Sequence, residues 1–298
     1  MIRVRGWHAI VTAPLAASLF TMTASGGGQG EMFSTGEAYE RFMGRWSDAL
    51  APLLVKLAGV RNGDAVLDVG CGTGALTAAV AAAAPSSRII GVDTAAPYVA
   101  FAQARHRGVP EGLIRFEVGD AQQLRFRDGG FDRTLSLLVL NFIPDAAKAL
   151  DEMIRVTRPG GTVAGAVWDY GQGMEMLRVF WDEAIELSPA LDARDERHMP
   201  LCRKGELRAL WHEHRLQDVS EQALTIRMRF ASFGDFWSPF LERQGPAGAY
   251  VASLAAGERE RLRLRLRRRL LGGGPDRPIV LRARAWAVRG IVPVKPPG

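Results

Sequence analysis

One stretch constrains the fold of this chain more than any other. Residues Val66 to Gly74 have the sequence VLDVGCGTG, in which an apolar run typical of a buried strand leads into an acid and three glycines. Glycine adopts backbone angles that other residues avoid, and because it has no Cβ it lets a ligand approach the backbone. Asp68 costs free energy at the end of an apolar strand unless a donor or a cation meets it. The stretch therefore predicts a ligand site directly after a buried strand.

Around this stretch, short apolar runs alternate with helical segments, which is typical of a mostly parallel sheet flanked by helices. The predicted strands are Ala65–Val69, Arg88–Val92, Ile114–Val118, Phe131–Val139 and Thr162–Trp168. The predicted helices between them are Ala75–Ala84, Ala95–Arg107 and Ala146–Val156. The strands show little polar alternation, as expected for strands buried on both faces. The predicted fold class is α/β, with helices on both faces of the sheet.

The pattern changes after Tyr170, where longer amphipathic segments begin. We predict helices over Met174–Leu187, Gly205–His214 and Phe233–Arg243, and strands over Leu224–Phe230 and Ile279–Val288. Apolar and polar residues alternate in the last strand, which predicts an edge position. Residues 31–170 are thus predicted to form the ligand-binding core, and residues 171–298 a helical substrate cover plus the last strands of the same sheet.

The first 30 residues stand outside this scheme. Two arginines precede an apolar run from Ala9 to Phe20, and small residues follow, which is the outline of a secretory signal. The cleavage site is poor, because Met22 lies three residues before a cut after Ala24. We favour translation from Met22 or Met32, which makes residues 1–30 a disordered or wrongly included extension of a cytoplasmic protein. No other stretch is long enough to span a membrane.

The formal charge of +6 does not by itself predict a nucleic-acid partner, because the arginines are spread along the chain. Their one cluster lies within Glu258–Leu271, where leucines at helical spacing favour an amphipathic helix with a solvated basic face. Contact of that face with an anionic substrate or a membrane lipid stays open. Cys71 and Cys202 belong to no CxxC or Cys/His pattern, so neither a disulfide nor a zinc site is expected.

Two further acids end predicted strands. Asp93 lies 25 residues after Asp68, at a place where a carboxylate accepts both hydroxyls of a ribose. Asp120, followed by Ala121, ends the third strand and can accept from an adenine amino group while the backbone donates to the ring. As purely structural alternatives, Asp93 is a helix N-cap and Asp120 a turn former. Three acids at one edge of the sheet favour a ligand that contains adenosine.

A nicotinamide dinucleotide is the competing ligand, because Gly70, Gly72 and Ala75 also satisfy the loose pattern of its glycine turn. Asp68 argues against it, since a carboxylate there would stand beside two phosphates. Gly74 argues the same way, because it opens the turn toward a sugar and an amino acid. An ammonium group on the ligand would meet Asp68.

The segments VLDVGCGTG, IIGVD, GDA, FDRTLSLLVLNFIPD and RPGG resemble, in order and spacing, the motifs of class I S-adenosylmethionine-dependent methyltransferases. The resemblance covers about Tyr39 to Tyr170 and is closest to the ubiquinone-biosynthesis-like, methyltransferase type 11 branch. It implies a Rossmann-like, seven-stranded sheet, S-adenosyl-L-methionine as cofactor and a small-molecule methyl acceptor. The implied cofactor-binding residues are Asp68, Gly70, Gly72 and Gly74 at the methionine portion, Asp93 and Thr94 at the ribose, Asp120 and Ala121 at the adenine, and Asn141 after the fourth strand. Asn141 departs from the histidine or aromatic residue often found there.

Upstream, the sequence YERFMGRW from Tyr39 to Trp46 is similar to the N-terminal helix that covers the cofactor in this family. Tyr39, Arg45 and Trp46 are therefore candidates for the cofactor's carboxylate end and for the lid. An ordinary amphipathic helix is the alternative.

Methyl transfer from a sulfonium needs orientation and a dry cavity, and it needs no metal or nucleophilic side chain. A hydroxyl acceptor would also need a general base, for which the candidates are His198, Asp169, His212 and His214, each more simply a surface residue. Aromatic residues that could line an acceptor pocket, though most are expected to pack the cover, are Trp168, Phe180, Trp181, Phe233, Phe236, Trp237, Phe240 and Tyr250. The alternatives to a methyltransferase are an NAD(P)-dependent oxidoreductase and a cofactor-binding module without catalysis.

Overall fold

The computed structural model describes residues 36–108, 110, 112–189 and 195–294. The predicted N-terminal extension, residues 1–30, lies outside these ranges. Among the described residues, no helix combines the length and the apolar character that crossing a membrane requires.

Seven strands form one sheet in the order β3-β2-β1-β4-β5-β7-β6. They are β1 (Ala65–Val69), β2 (Arg88–Asp93), β3 (Ile114–Val118), β4 (Phe131–Leu137), β5 (Thr157–Trp168), β6 (Gln217–Phe230) and β7 (Ile279–Ile291). The first five are parallel, and β7 pairs antiparallel with both β5 and β6. The predicted α/β class with a seven-stranded, mostly parallel sheet is confirmed.

The prediction that the last strand lies at an edge is wrong. β7 is inserted between β5 and β6, and β6 is the outer strand. The alternation in β7 has another cause, because Ala283 and Ala285 are fully buried on one face while Arg282 on the other is exposed. A strand with one open face produces the same pattern as an edge strand. Strand β6 also starts earlier than predicted, at Gln217, where its residues are mostly exposed.

The helical segments predicted from the sequence are present, and helices that were not predicted, such as Gly245–Ser253, occur beside them. They are α1 (Gly36–Tyr39), α2 (Arg45–Ala58), α3 (Ala75–Ala83), α4 (Ala96–Arg105), α5 (Ala146–Val156), α6 (Glu175–Leu187), α7 (Glu206–Glu213), α8 (Phe233–Trp237), α9 (Gly245–Ser253) and α10 (Ala256–Leu271). The segment predicted as one helix over Phe233–Arg243 is divided, because a 3-10 turn over Ser238–Glu242 follows α8 and has a proline in its first turn. Proline cannot donate the backbone hydrogen bond that would continue the helix.

Helices α6, α8, α9 and α10, in the region predicted to be a cover, pack together through aromatic rings and ion pairs. The rings of Phe180 and Phe240 stack with centroids 4.6 Å apart, and Phe240 also meets Phe42, which precedes α2, at 5.5 Å. The predicted basic helix is confirmed as α10. Its basic face is only partly solvated, because Arg265 donates to the buried Glu183 of α6 at 2.8 Å.

Candidate functional site

The candidate site lies where the order of the sheet reverses direction. From β1 the chain continues to β2 and β3 on one side, and β4 lies on the other side. In open α/β sheets, ligands bind in the crevice that this reversal opens at the carboxyl ends of the strands. A small cavity of about 30 Å³ occurs here, lined by Tyr39, Ser47, Asp68, Gly70, Cys71, Gly72, Thr73, Ala75, Leu76 and Leu137.

The glycine turn shapes the floor of this cavity. Gly70, Gly72 and Gly74 have φ angles of 73°, 51° and 90°, which glycine adopts without the strain that other residues meet. A Cβ on Gly70 would lie 2.4 Å from Cγ1 of Val139, whereas a Cβ on Gly72 would meet nothing within 4 Å. Gly70 is therefore required for packing, and Gly72 leaves its side of the turn open to a ligand.

Asp68 is fully buried at the end of β1 and is only half satisfied. Thr77 of α3 donates a hydrogen bond to Oδ2 at 2.7 Å, and Oδ1 has no partner among the described residues. Burial raises the pKa of Asp68 to about 7, although the Thr77 hydrogen bond lowers it. Thr77 was not predicted as a site residue, although it is the one polar residue of the otherwise apolar α3 and could have been recognised on that ground.

The N-terminus of α3 lies beside Asp68. Its N-cap is Gly74, and none of the side chains that the structure describes caps the helix there. The first N–H groups of a helix lack intrahelical partners and attract anions. The hydroxyl of Thr73, also buried, has no partner within the described part of the chain. Hydrogen-bond donors of α3 and Thr73 thus lie next to the unpaired Oδ1 of Asp68. The carboxylate and the ammonium group of an amino acid would complement these two parts of the site.

Asp93, at the end of β2, links two parts of the site. Its Oδ2 accepts from the N–H of Gly72 at 2.9 Å, and its Oδ1 accepts from the N–H of Ala95 at 2.8 Å, just before α4. Burial raises the pKa of Asp93. Asp93 therefore supports the turn, and each carboxylate oxygen keeps acceptor capacity for a further donor. The neighbouring Thr94 is exposed.

Asp120 follows the end of β3 and is exposed. Its Oδ1 accepts from the N–H of Gln122 at 2.8 Å, so it acts as a turn former in this structure. Ala121 beside it is half-buried. Both residues lie at the same edge of the sheet as Asp68 and Asp93, and neither lines the cavity.

On the N-terminal helices, the cavity is lined by Tyr39 and Ser47, whose hydroxyl oxygens lie 3.3 Å apart. Burial raises the pKa of Tyr39 to about 12, so its hydroxyl keeps its proton at neutral pH. Arg45 and Trp46 point elsewhere. Arg45 donates to Asp235 of α8 at 2.9 Å, and Trp46 packs in the core.

A π-helical turn over Glu40–Gly44 explains this difference. In a regular α-helix, Trp46 would share the face of Tyr39, seven residues earlier. A π-turn adds one residue and shifts the following helix by one position. Ser47 therefore comes beneath Tyr39 in place of Trp46, and Ser47 is a site residue that the periodicity of the sequence missed.

Asn141 lies in a 3-10 turn that follows β4, and it is buried. Its side-chain amide donates to Sδ of Met199 at 3.5 Å, and its Oδ1 lacks a partner among the described residues. Asn141 is not one of the residues that line the cavity. It connects the end of β4 to the segment that precedes α7.

The four residues considered as general bases take other roles. Asp169 accepts from Nε and Nη2 of Arg284 at 2.9 and 2.5 Å, and Nδ1 of His214 lies 2.6 Å from Oδ1 of Asp151. His198 and His212 are exposed. None of the four lines the cavity. Within the described ranges, no group of three or more acids, histidines or cysteines is arranged to hold a metal.

Comparisons with known proteins agree with this geometry. Residues 67–165 match the family described as a methyltransferase domain. A ubiquinone/menaquinone biosynthesis C-methyltransferase of Bdellovibrio bacteriovorus is 38% identical over 121 residues, which are 40% of this chain and 49% of that protein. This chain spans less than half the length of the curated relatives it matches.

Solved structures show the same fold at low identity. Phosphoethanolamine N-methyltransferase 2 of Haemonchus contortus, solved with S-adenosyl-L-methionine, has a TM-score of 0.55 at 18% identity, covering 89% of this chain and 59% of that one. The YcgJ protein of Bacillus subtilis has a TM-score of 0.53 at 20% identity, covering 84% of this chain and 100% of that one. Residues 67–165 of this chain are therefore similar to the methyltransferase domain family, and the chain shares the fold of these solved structures.

Proposed function

We propose that this protein transfers a methyl group from S-adenosyl-L-methionine to a small-molecule acceptor. One observation carries the proposal. At the switch point of the sheet, a fully buried carboxylate with a free oxygen, that of Asp68, lies next to an uncapped helix N-terminus and an open glycine turn. A dinucleotide would place phosphates beside that carboxylate, whereas the amino-acid end of this cofactor complements it.

The chain's own residues suit each part of the cofactor. Oδ1 of Asp68 would accept from the ammonium group, and Thr73 with the first turn of α3 would donate to the carboxylate. By family resemblance, Asp93 would accept from the ribose and Asp120 from the adenine. Gly72 would let the ligand lie across the turn, because nothing occupies the space where its Cβ would be.

When bound, the cofactor supplies the methyl carbon already activated by the sulfonium charge, so the protein's contribution is orientation and exclusion of water. Tyr39 and Ser47 line the cavity together with the glycine turn, so the helices that carry these two residues would lie against the bound cofactor.

The oxidoreductase alternative conflicts with the topology as well as with Asp68. The classic dinucleotide fold has the strand order 3-2-1-4-5-6, whereas here an antiparallel β7 separates β5 from β6. The module without catalysis remains the second candidate, and only turnover separates it from an enzyme. The cytoplasmic location inferred from the sequence stays a prediction.

Calorimetric titration with S-adenosylhomocysteine and, in parallel, with NADH tests the cofactor. We expect S-adenosylhomocysteine to bind and NADH to give no heat of binding. The reverse result would overturn the proposal. Transfer of a labelled methyl group to a panel of phenols, quinones, amines and acids then tests the reaction. Cofactor binding without transfer to any acceptor would favour the module without catalysis.

A further inference from the structure

Strand β6 ends the sheet, and its side facing away from β7 has no neighbouring strand among the described residues. It has 14 residues, Gln217–Phe230, whereas β3 at the other end of the sheet has only 5. Within the described part of the chain, the backbone groups from Val219 to Phe230 form no hydrogen bond outside the ladder with β7. A long edge strand of this kind exposes N–H and C=O groups with which another strand can pair.

This edge is uncovered on both faces of the sheet close to its centre. Successive residues of a strand point to opposite faces. Gln222 points to one face and Ala223 to the other, and both residues are exposed. Neither layer of helices therefore covers the edge at this place, and a second strand can reach it.

Charged residues follow an order along one face of β6. Glu221 comes first, and Arg227 and Arg229 follow on the same face near the end of the strand. The Glu221 carboxylate accepts from the backbone N–H of Gly205 at 2.9 Å, which leaves its charge without a cation. Both arginines are exposed, and no carboxylate of the described residues lies within salt-bridge distance of either. One half of this face is thus acidic and the other half is basic.

The basic half also carries an unfavourable pair within the sheet. Arg227 lies directly opposite Arg282 of β7, and both are exposed. Glu175 accepts from the backbone N–H of Arg282 at 2.7 Å, but no described carboxylate forms a salt bridge with either guanidinium. Like charges directly opposite each other destabilise a sheet. An acid supplied from a further strand, beside Arg227, would stabilise this part of the sheet.

We propose that a second copy of this chain pairs with this edge, so that β6 lies antiparallel to β6 of the partner about a twofold axis at Leu224. Directly opposite residues of an antiparallel pair share one face of the sheet. With the axis at Leu224, Glu221 of each protomer lies opposite Arg227 of the other. The pair occurs twice, as in any isologous interface. This inference does not rest on the proposed function.

The position of the axis follows from the arginines. With the axis at Leu224, Glu221 directly faces the arginine that is opposed by Arg282, and Arg229 lies diagonally within reach. An axis at Thr225 would instead place Glu221 opposite Arg229 and leave Arg227 opposite an alanine. The Leu224 axis therefore relieves the unfavourable arginine pair most directly.

The two signs of charge favour a second copy over other partners. A nucleic acid or an anionic membrane carries negative charge throughout, so Glu221 would repel it. Single-stranded nucleic acids also stack on exposed aromatic rings, and none of the exposed residues of this face is aromatic. These residues are Ala223, Thr225, Arg227, Arg229, Val280 and Arg282. The β6 of a second copy, in contrast, offers the acid and the two arginines in the reverse order.

The first test is the oligomeric state of the full chain. Charged residues on an edge strand also protect monomeric proteins from unwanted pairing. Size-exclusion chromatography with light scattering at micromolar concentration separates the two cases, and we expect a dimer. A monomer would overturn the inference and leave protection of the edge as the role of the arginines.

Charge reversal then tests the position of the interface. Arg227→Glu and Glu221→Lys should each weaken dimerisation by about tenfold or more, because two symmetry-related attractions become repulsions. The matched control is Arg125→Glu, which makes the same change of charge at an exposed site between β3 and β4, away from the β6 edge. Reversals that leave the dimer intact, or a control that dissociates it equally, would contradict the proposed interface.

Mixing the two charge-reversal variants distinguishes a lost interface from a damaged fold. In a mixed dimer, the introduced lysine faces the introduced glutamate, and the original Glu221 faces the original Arg227. Native mass spectrometry of the mixture should therefore show a heterodimer at close to the wild-type affinity, although each variant alone is monomeric. Absence of the heterodimer would overturn the pairing of Glu221 with Arg227.

Discussion

Replacement of Asp68 by asparagine should make the protein more stable and the cofactor bind more weakly. The side chain keeps its shape and its contact with Thr77, but it loses the charge that burial disfavours. Since burial raises the pKa of Asp68 to about 7, above its ordinary value of 3.8, the folded state holds the proton more tightly than the unfolded state. The unfolded chain therefore ionises at lower pH than the folded chain, and the stability of the fold decreases as the pH rises from 3.8 to 7.

The size of the effect follows from the same two values. The difference between the two pKa values corresponds to a penalty of about 4 kcal/mol, which is reached in full above pH 7, because one pKa unit is worth about 1.4 kcal/mol. At pH 5 less than half of this penalty is present. Asp68→Asn should remove this penalty, so its gain in unfolding free energy over wild type should grow between pH 5 and pH 8.

Urea unfolding of wild type and Asp68→Asn at pH 5, 6, 7 and 8 measures the gain. Calorimetry with S-adenosylhomocysteine at the same pH values measures binding, which should weaken about tenfold or more at pH 8, because the ligand ammonium loses a charged partner. A substitution that raises the unfolding free energy and lowers the affinity for the ligand identifies a charge that serves function at the expense of stability. A stability difference independent of pH would refute the reasoning about burial, and unchanged affinity would refute the position of the ammonium group.

Three other substitutions separate the site from its surroundings. Gly72→Ala should lower the unfolding free energy by about 1–2 kcal/mol, which is the cost of a Cβ in the left-handed region. It should also abolish S-adenosylhomocysteine binding in calorimetry. Gly63→Ala is the control, because Gly63 also has a positive φ and open space around its Cα. Equal binding in both variants would contradict the open face assigned to Gly72. Ser47→Ala should weaken that binding several-fold. Arg45→Gln should leave it within about twofold and cost about 1 kcal/mol or less, because it removes a partly exposed ion pair. A larger loss of affinity for Arg45→Gln would restore the cofactor role that the sequence suggested.

Much of the secondary structure of this protein can be predicted from the sequence alone, because it depends on the local pattern of apolar and polar residues. The apolar runs of β1 to β5, the helices between them and the turn from Gly70 to Gly74 depend on neighbours in the chain, and the structure places them within a few residues of the prediction. The acids Asp68 and Asp93 were found for the same reason, since each follows directly from where a buried strand ends.

Tertiary structure decided what depends on distant residues. The place of β7 between β5 and β6 depends on pairing along its whole length, and its alternation fits an edge strand equally well. The π-turn at Glu40–Gly44 changes the phase of the helix, so that Ser47 reaches the cavity while Arg45 meets Asp235, 190 residues away.

Glu196 shows the same limit most clearly. In the sequence it is one acid of a polar segment, indistinguishable from its neighbour Asp195. The packing of α6 against that segment pairs Asp195 with Arg178, in addition to Arg197 of the segment itself, and buries Glu196 against the indole N–H of Trp181. The sequence determines which residues can carry a charge. Their solvation and their partners depend on the tertiary structure, because both involve groups that are distant along the sequence.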